Sequence, residues 1–330
     1  MQLLHVDPAA PDPAAIARAA AVLRAGGLVA FPTETVYGLG AHALDAAAVA
    51  RVYAAKGRPA YNPLIAHVAD AEGARALVSD WPLSAELLAR AFWPGPLTMV
   101  LPKRAGVPDA ITAGLPSVAV RVPGHPVALA LLAAAGIPVA APSANKFTEV
   151  SPTTAEHVIA SLGDAVDVVL DGGPTTVGIE STVVDLTGAV PRVLRPGMIS
   201  AAQIGAVVGA VDDRPVVVQD GAARSSPGMV DRHYAPQARL LAFDGTTREA
   251  ALGEARRAAA QGLRVGALAF GALPVAEARV MPRAAAAYAR RLYAALHELD
   301  ACGCGLVLVE RVPDTPEWAG VRDRLERAAR

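Results

Sequence analysis

Residues 239–330 alternate between short aliphatic runs and helical segments, and few architectures tolerate that order. Arg239 to Phe243, Val265 to Ala269, Ala278 to Val280 and Leu306 to Val309 read as strands. Thr247 to Gln261, Arg283 to Leu299 and Glu317 to Ala328 read as helices. A strand that reaches the next through a helix returns parallel to it, so this stretch predicts a small parallel α/β domain.

Upstream the same reading predicts a larger, less regular unit. Asp12-Pro13 caps a helix to Arg24, ahead of Gly26-Gly27. Leu28 to Phe31, Leu64 to Val68, Leu97 to Leu101, Val118 to Val122 and Val139 to Ala141 read as strands. So do Val166 to Leu170, Thr182 to Leu186 and Arg192 to Leu194. Helices fall over Val49 to Lys56, Ser84 to Phe92 and Pro126 to Ala135. Thr153-x-x-Glu156 reads as a capping box opening a helix to Leu162, and Ser200-x-x-Gln203 caps a short helix. Periodicity fades from Val211 to Ala238, where Gly, Ser, charged residues and three prolines collect. The expected organisation is one domain over 1–210, a linker over 211–238 and a second domain over 239–330, consistent with a 330-residue length.

Composition narrows the function classes. At 53% hydrophobic and 18% charged residues, burial offsets the entropy of ordering, which excludes intrinsic disorder. A net charge of −1 excludes a surface coated in basic residues for wrapping nucleic acid, while a local basic cleft stays open. Cys302 and Cys304 are too close for an ordinary bridge and too few for a thiolate zinc site, and they read as incidental thiols in a reducing compartment. No basic n-region leads into an apolar h-region. The longest apolar run, Val127 to Pro142, holds Gly136 and Pro138 and falls short of the roughly 20 residues of a membrane span. A cytoplasmic protein with no membrane partner is expected.

Polar residues gather between the predicted strands at five places. Pro32 to Gly40 offers two threonines and Glu34 at a strand end, with glycines that let backbone approach a ligand. Its Gly38-Leu39-Gly40-Ala41-His42-Ala43 lies too far past the strand, and lacks the acidic residue about 20 positions on, for a dinucleotide motif. Lys56 to Leu64 places Lys56 and Arg58 around Gly57 at a helix end, with Asn62 before a strand. Arg121 sits inside the apolar run that begins near Ser117 and needs an anionic partner, either a protein carboxylate or a ligand carboxylate. Ala141 to Lys146, with Ser143 and Asn145, precedes Ser151-Pro152-Thr153 at a capped helix, a pattern suited to anions. Gly178 to Thr182 carries Ser181, Leu194 to Gly197 carries Arg195, and His67 ends a strand nearby. P-loop, H-E-x-x-H and G-x-S-x-G motifs are missing. Cations, hydroxyls and amides without an evident nucleophile suit transfer at phosphorus, where positioning and charge stabilisation dominate.

The segments PTETVYGLG, KGRPAYNPL, WPGPLT, SVAVRVP, APSAN, SPT, GIESTVVD and LRPG occur in the order seen in YrdC-like proteins. Ser226-Pro227-Gly228-Met229, running to His233-Tyr234-Ala235-Pro236, resembles the linker of the longer members, the L-threonylcarbamoyladenylate synthases. The resemblance implies a YrdC-like twisted mixed sheet with a concave basic cleft, followed by a smaller Rossmann-like parallel α/β domain. It implies a nucleotidyltransferase that makes threonylcarbamoyl-AMP and diphosphate from L-threonine, bicarbonate and ATP, with Mg²⁺ accompanying ATP. The product would pass to a tRNA threonylcarbamoyl transferase complex that modifies the adenosine beside the anticodon, with no stable nucleic-acid binding by this chain.

Carried onto matching positions, the resemblance implies that Thr35, His67, Arg121, Ala141 and Ser181 hold L-threonine. It implies that Arg58, Asn62, Ser117, Ser143, Asn145, Ser151 and Arg195 hold ATP, with Tyr234 folding over the nucleotide as part of a lid. Lys56, Arg58 and Arg195 would offset phosphate charge as the catalytic cations. The stretch Lys146 to Ser151 departs from the Ser-Gly pair that many members carry there. Two other readings are a non-catalytic RNA-binding or ribosome-maturation protein using the same cleft, and a carbamoyltransferase. Aromatics at 4% argue against the first, and the lack of metal-binding cysteines against the second.

Overall fold

The computed structural model describes residues 1–214 and 233–330. The Val216 to Val218 run and the Ser226 to Met229 motif lie outside the described residues. Ten strands build one mixed sheet: β1 (Gln2–His5), β2 (Val29–Pro32), β3 (Tyr37–His42), β4 (Ile65–His67), β5 (Leu97–Pro102), β6 (Ser117–Arg121), β7 (Val139–Ala140), β8 (Val168–Asp171), β9 (Thr182–Asp185) and β10 (Arg192–Arg195). Their order across the sheet is β1-β8-β2-β3-β7-β4-β6-β5-β9-β10. Strand β8 runs parallel to β1 and β2, β4 to β6, and β5 to β9, and the other pairs are antiparallel.

Side-chain alternation sorts the two faces. Val29 and Phe31 pack under the helices Pro13–Arg24 and Pro126–Ala135, whereas Leu28 and Ala30 enter the larger core on the opposite face. The first helix starts as its sequence demands, with Asp12 accepting from Ala14 N and Ala15 N.

A second sheet is wholly parallel: β11 (Arg239–Phe243), β12 (Arg264–Ala269), β13 (Glu277–Val280) and β14 (Cys304–Glu310), in the order β11-β14-β12-β13. Leu306 and Leu308 face the helix Arg248–Ala260. Val307 and Val309 face the helices Ala285–Ala301 and Ala319–Ala328. This second layer shares its core with Val36, Val150 and Ile179 of the first sheet's loops. The mixed sheet with an added parallel α/β unit is the expected fold class.

Three local expectations change. Strand β1 replaces a stretch with no assigned element; its outer side chains are exposed, which blurs the pattern. Residues Tyr37–His42 form β3, antiparallel to β2, rather than a polar loop. A Cβ at Gly40 would lie 2.9 Å from both Phe31 and Val139, so that glycine serves strand packing, not ligand approach. The helix Ala155–Leu162 is capped by Thr154, whose hydroxyl accepts from His157 N, one residue beyond the expected Thr153.

Candidate functional site

The C-terminal ends of β4 and β6 set His67 and Arg121 side by side in register. Both side chains are buried, and both line a cavity of about 40 Å³. That volume holds a few waters and is far smaller than a nucleotide. Burial and the neighbouring Arg121 push the His67 imidazole down to about 3, so it is neutral, and its Nδ1 lies 3.2 Å from Ile65 O.

The turn between β2 and β3 supplies the next wall. Thr33 Oγ1 donates to Val36 O at 2.6 Å and lies 2.8 Å from Thr35 Oγ1, which folds the turn and aims Thr35 at the cavity. Glu34 answers the question of Arg121's partner. Its Oε1 accepts from Arg121 Nη2 at 2.7 Å and its Oε2 from Gly124 N at 2.9 Å. The buried arginine thus carries a protein carboxylate and still faces the cavity.

Opposite, Gly57 ends the helix Ala46–Lys56 in the left-handed region (φ 59°), which reverses the chain and turns Arg58 inward. Arg58 donates to Asn62 O (3.1 Å) and Pro63 O (2.9 Å), and burial draws its guanidinium down to about 10. Lys56 sits behind this wall. Its ammonium donates to Ser143 O and Asn145 O and does not line the cavity, so it braces the Ser143–Asn145 loop from behind. Burial, then Arg58, hold it well below the ordinary lysine range.

The third wall combines β9, β10 and the returning chain after residue 232. Ser181 Oγ lies 2.8 Å from Thr98 Oγ1, and Arg195 donates to Ser181 O and Oγ. Tyr234 is buried against the cavity at φ 61°, its ring 6.0 Å from Tyr293. His233 lies beside it, edge-on to Tyr234 at 4.0 Å. Burial, then the cations Arg58, Lys56, Arg195 and Arg324, keep the His233 imidazole well below its usual range, so it is neutral.

All five residues expected around threonine line this one cavity: Thr35, His67, Arg121, Ala141 and Ser181. From the nucleotide set, Arg58, Ser143, Arg195 and Tyr234 line it. Asn62, Ser117, Asn145 and Ser151 do not. Ser117 begins β6, four residues before Arg121. Ser151 Oγ donates to Glu180 Oε1 at 2.5 Å. Asn62 is wholly buried with neither side-chain polar atom partnered, and Asn145 Oδ1 is also unpartnered. Residues outside the expected set also line the cavity, among them Thr33, Glu180 and His233. Glu180 lies inside the GIESTVVD segment and His233 beside Tyr234, but a polar residue in a mixed segment does not show from sequence whether it faces a cavity. Among the described residues no group of three His, Cys, Asp or Glu side chains is placed to hold a metal ion. The two carboxylates at the site, Glu34 and Glu180, are each paired with an arginine. No helix among the described residues is long and apolar enough to cross a membrane.

Three guanidinium groups, Arg58, Arg121 and Arg195, and the hydroxyls of Thr33, Thr35, Ser143 and Ser181 converge on this one cavity, a donor set suited to anionic groups. Residues 21–197 match the family model described as "Telomere recombination", and residues 199–330 match the one described as "Threonylcarbamoyl-AMP synthase, C-terminal domain". A Pyrococcus abyssi threonylcarbamoyl-AMP synthase is 43% identical over 316 residues, covering 94% of this chain and 93% of the relative. A Bacillus subtilis protein of the same name is 42% identical over 326 residues, covering 95% and 92%. The crystal structure of a Pyrococcus abyssi relative complexed with L-threonine superposes with a TM-score of 0.94 at 40% identity, covering all of this chain and 98% of the other.

Proposed function

The chain belongs to the threonylcarbamoyl-AMP synthase family, and from that premise we propose that it joins L-threonine, bicarbonate and ATP into threonylcarbamoyl-AMP, releasing diphosphate and water. It is an enzyme of the nucleotidyltransferase type. The observation that carries the substrate reading is the convergence of Arg121, paired with Glu34, and the Arg58–Arg195 side on one cavity. The likeness to a relative crystallised with L-threonine supports it.

Threonine's carboxylate would share Arg121 with Glu34, with Thr35, Ser181, neutral His67 and the Ala141 backbone around the rest of the molecule. A neutral His67 leaves Arg121 as the single cation at that end. The threonine amine takes up CO₂ from bicarbonate as a carbamate. A carbamate oxygen then attacks the α-phosphorus of ATP, and diphosphate leaves. Arg58 and Arg195 stabilise the charge that grows on the phosphates, while Ser143 and Tyr234 position the nucleotide. Lys56 acts by holding the Ser143–Asn145 loop. Asn62, Asn145, Ser117 and Ser151 lie beyond the small cavity. ATP therefore needs His233 and Tyr234 to withdraw and return, the lid behaviour expected of the linker. The orphaned amide of Asn62 supports an added polar partner there. The carboxylates at the site are committed to arginines, so Mg²⁺ would arrive held by the phosphates of ATP and by water. The product would serve a tRNA threonylcarbamoyl transferase complex in the cytoplasm.

Diphosphate release from the purified chain with L-threonine, bicarbonate, ATP and Mg²⁺ tests this. Turnover that needs all three substrates is expected; no release sinks the reading. By calorimetric titration, Arg58→Ala should lose at least 10-fold in ATP affinity, and Arg121→Ala should chiefly weaken L-threonine. Unchanged affinities would remove these residue roles.

A further inference from the structure

The parallel α/β domain places a buried cation against the cavity wall. Arg324, on the helix Ala319–Ala328, has a wholly buried side chain. Its Nε donates to Glu180 Oε2 at 2.7 Å, and its Nη1 donates to Pro196 O at 3.0 Å and Asp323 Oδ2 at 2.7 Å. Its guanidinium carbon stands 5.0 Å from the centre of the Tyr234 ring. Tyr293, on the helix Ala285–Ala301, donates to the same Glu180 oxygen at 3.0 Å, and its ring stacks with that of Tyr234 at 6.0 Å. The backbones meet as well. A Cβ on Gly320 would fall 2.7 Å from Gly197 O, and one on Gly178 would fall 2.5 Å from Ala289 O. The loop that carries Ser181 and the segment that follows Arg195 at the end of β10 are therefore backed directly by helices of the other domain.

Apolar residues of similar volume would join two domains as well as a buried ion pair does, because desolvation cancels much of the pair's attraction. What the pair adds is direction. It fixes where the Glu180 carboxylate points and which face of Tyr234 meets a cation. We propose that Arg324 is a positioning residue of the active site, fixing the Glu180 carboxylate and, through it, Ser151 and the Ser181–Arg195 wall, so that the C-terminal domain is part of the nucleotide site. The inference rests on the synthase reading through the assignment of Ser151 and Arg195 to ATP.

The test is calorimetric titration of the full chain with ATP and, separately, L-threonine, alongside thermal unfolding and diphosphate release. Arg324→Lys keeps the charge and loses the fork. ATP affinity should fall at least 10-fold while L-threonine affinity stays within 2-fold, because Ser181 is tied independently to Thr98. Tyr293→Phe, which removes one donor and no charge, should lower ATP affinity about 3-fold with unchanged melting. Should Arg324→Lys fail to fold, Tyr293→Phe and the paired Glu180→Gln/Arg324→Met variant decide. Equal weakening of both ligands, unchanged ATP affinity, or wild-type ATP affinity in the charge-free pair would overturn the proposal. A parent protein that binds ATP but releases no diphosphate defeats the synthase reading and leaves the variant comparison to judge Arg324; one that binds no ATP defeats both.

Discussion

Arg121 and Glu34 form a buried pair, and removing one member leaves the other charged and desolvated. Glu34→Gln should therefore cost on the order of 3 kcal/mol of stability at pH 7 in urea unfolding. Saturating L-threonine should recover more stability in the variant than in the parent, since its carboxylate supplies the missing anion. A loss under about 1 kcal/mol would mean that the pair is screened like a surface one. His67 sets a pH dependence. Its folded value of about 3 lies below the ordinary 6.5, so the unfolded chain binds the proton more readily. Its contribution is complete above about pH 6.5 and is lost as pH falls toward 3, at roughly 1.4 kcal/mol per pH unit. Unfolding midpoints at pH 7 and pH 5 should diverge less in His67→Gln than in the parent, and equal divergence would refute the burial argument.

At the level of elements, Gly178 joins two constraints that no side chain meets together. Its φ is 86°, and a Cβ would lie 2.5 Å from both Ala289 O and Arg290 Cα on the helix Ala285–Ala301. Gly178→Ala should cost at least about 2 kcal/mol and lower ATP turnover, because the displaced backbone leads straight into Glu180 and Ser181. A melting temperature within about 1 °C of the parent's would show that the helix yields easily. The helices with strong ends were legible: Pro13–Arg24 follows Asp12, Pro126–Ala135 stops at Gly136, and Ser200 and Gln203 complete a capping box. Strand β3 was not. Its Gly38 and Gly40 look like loop residues until Phe31 and Val139 lie against them.

Across the whole molecule, the two sheets share a core, and removing residues 233–330 would bare Val36, Val150 and Ile179 and strip Glu180 of Arg324 and Tyr293. Such a truncation should lose at least 100-fold in diphosphate release and bind a hydrophobic dye; full activity would contradict the shared site. The rings of His157 and His297 stack at 3.7 Å across the same interface, with His297 Nε2 3.1 Å from Ser151 O. Burial, then His297, push the His157 imidazole down to about 4, and burial lowers His297 as well. Both are neutral at pH 7, and acid that charges both would set like charges face to face. Domain coupling should weaken below about pH 5, read as increased proteolysis between the domains, and less so in His157→Gln.

Aliphatic periodicity, capping residues and the fade after Val211 are local signals, and they determined the two kinds of sheet and most helices. Ordered motifs determined the family. The partner of Arg121, the contacts of Lys56 behind the Ser143–Asn145 loop and the pairing of Arg324 with Glu180 required tertiary structure. Each joins residues far apart in the chain: 87 positions between Glu34 and Arg121, 144 between Glu180 and Arg324. A buried charge announces that it needs an opposite charge, but the chain alone does not say which one folding will bring within 3 Å.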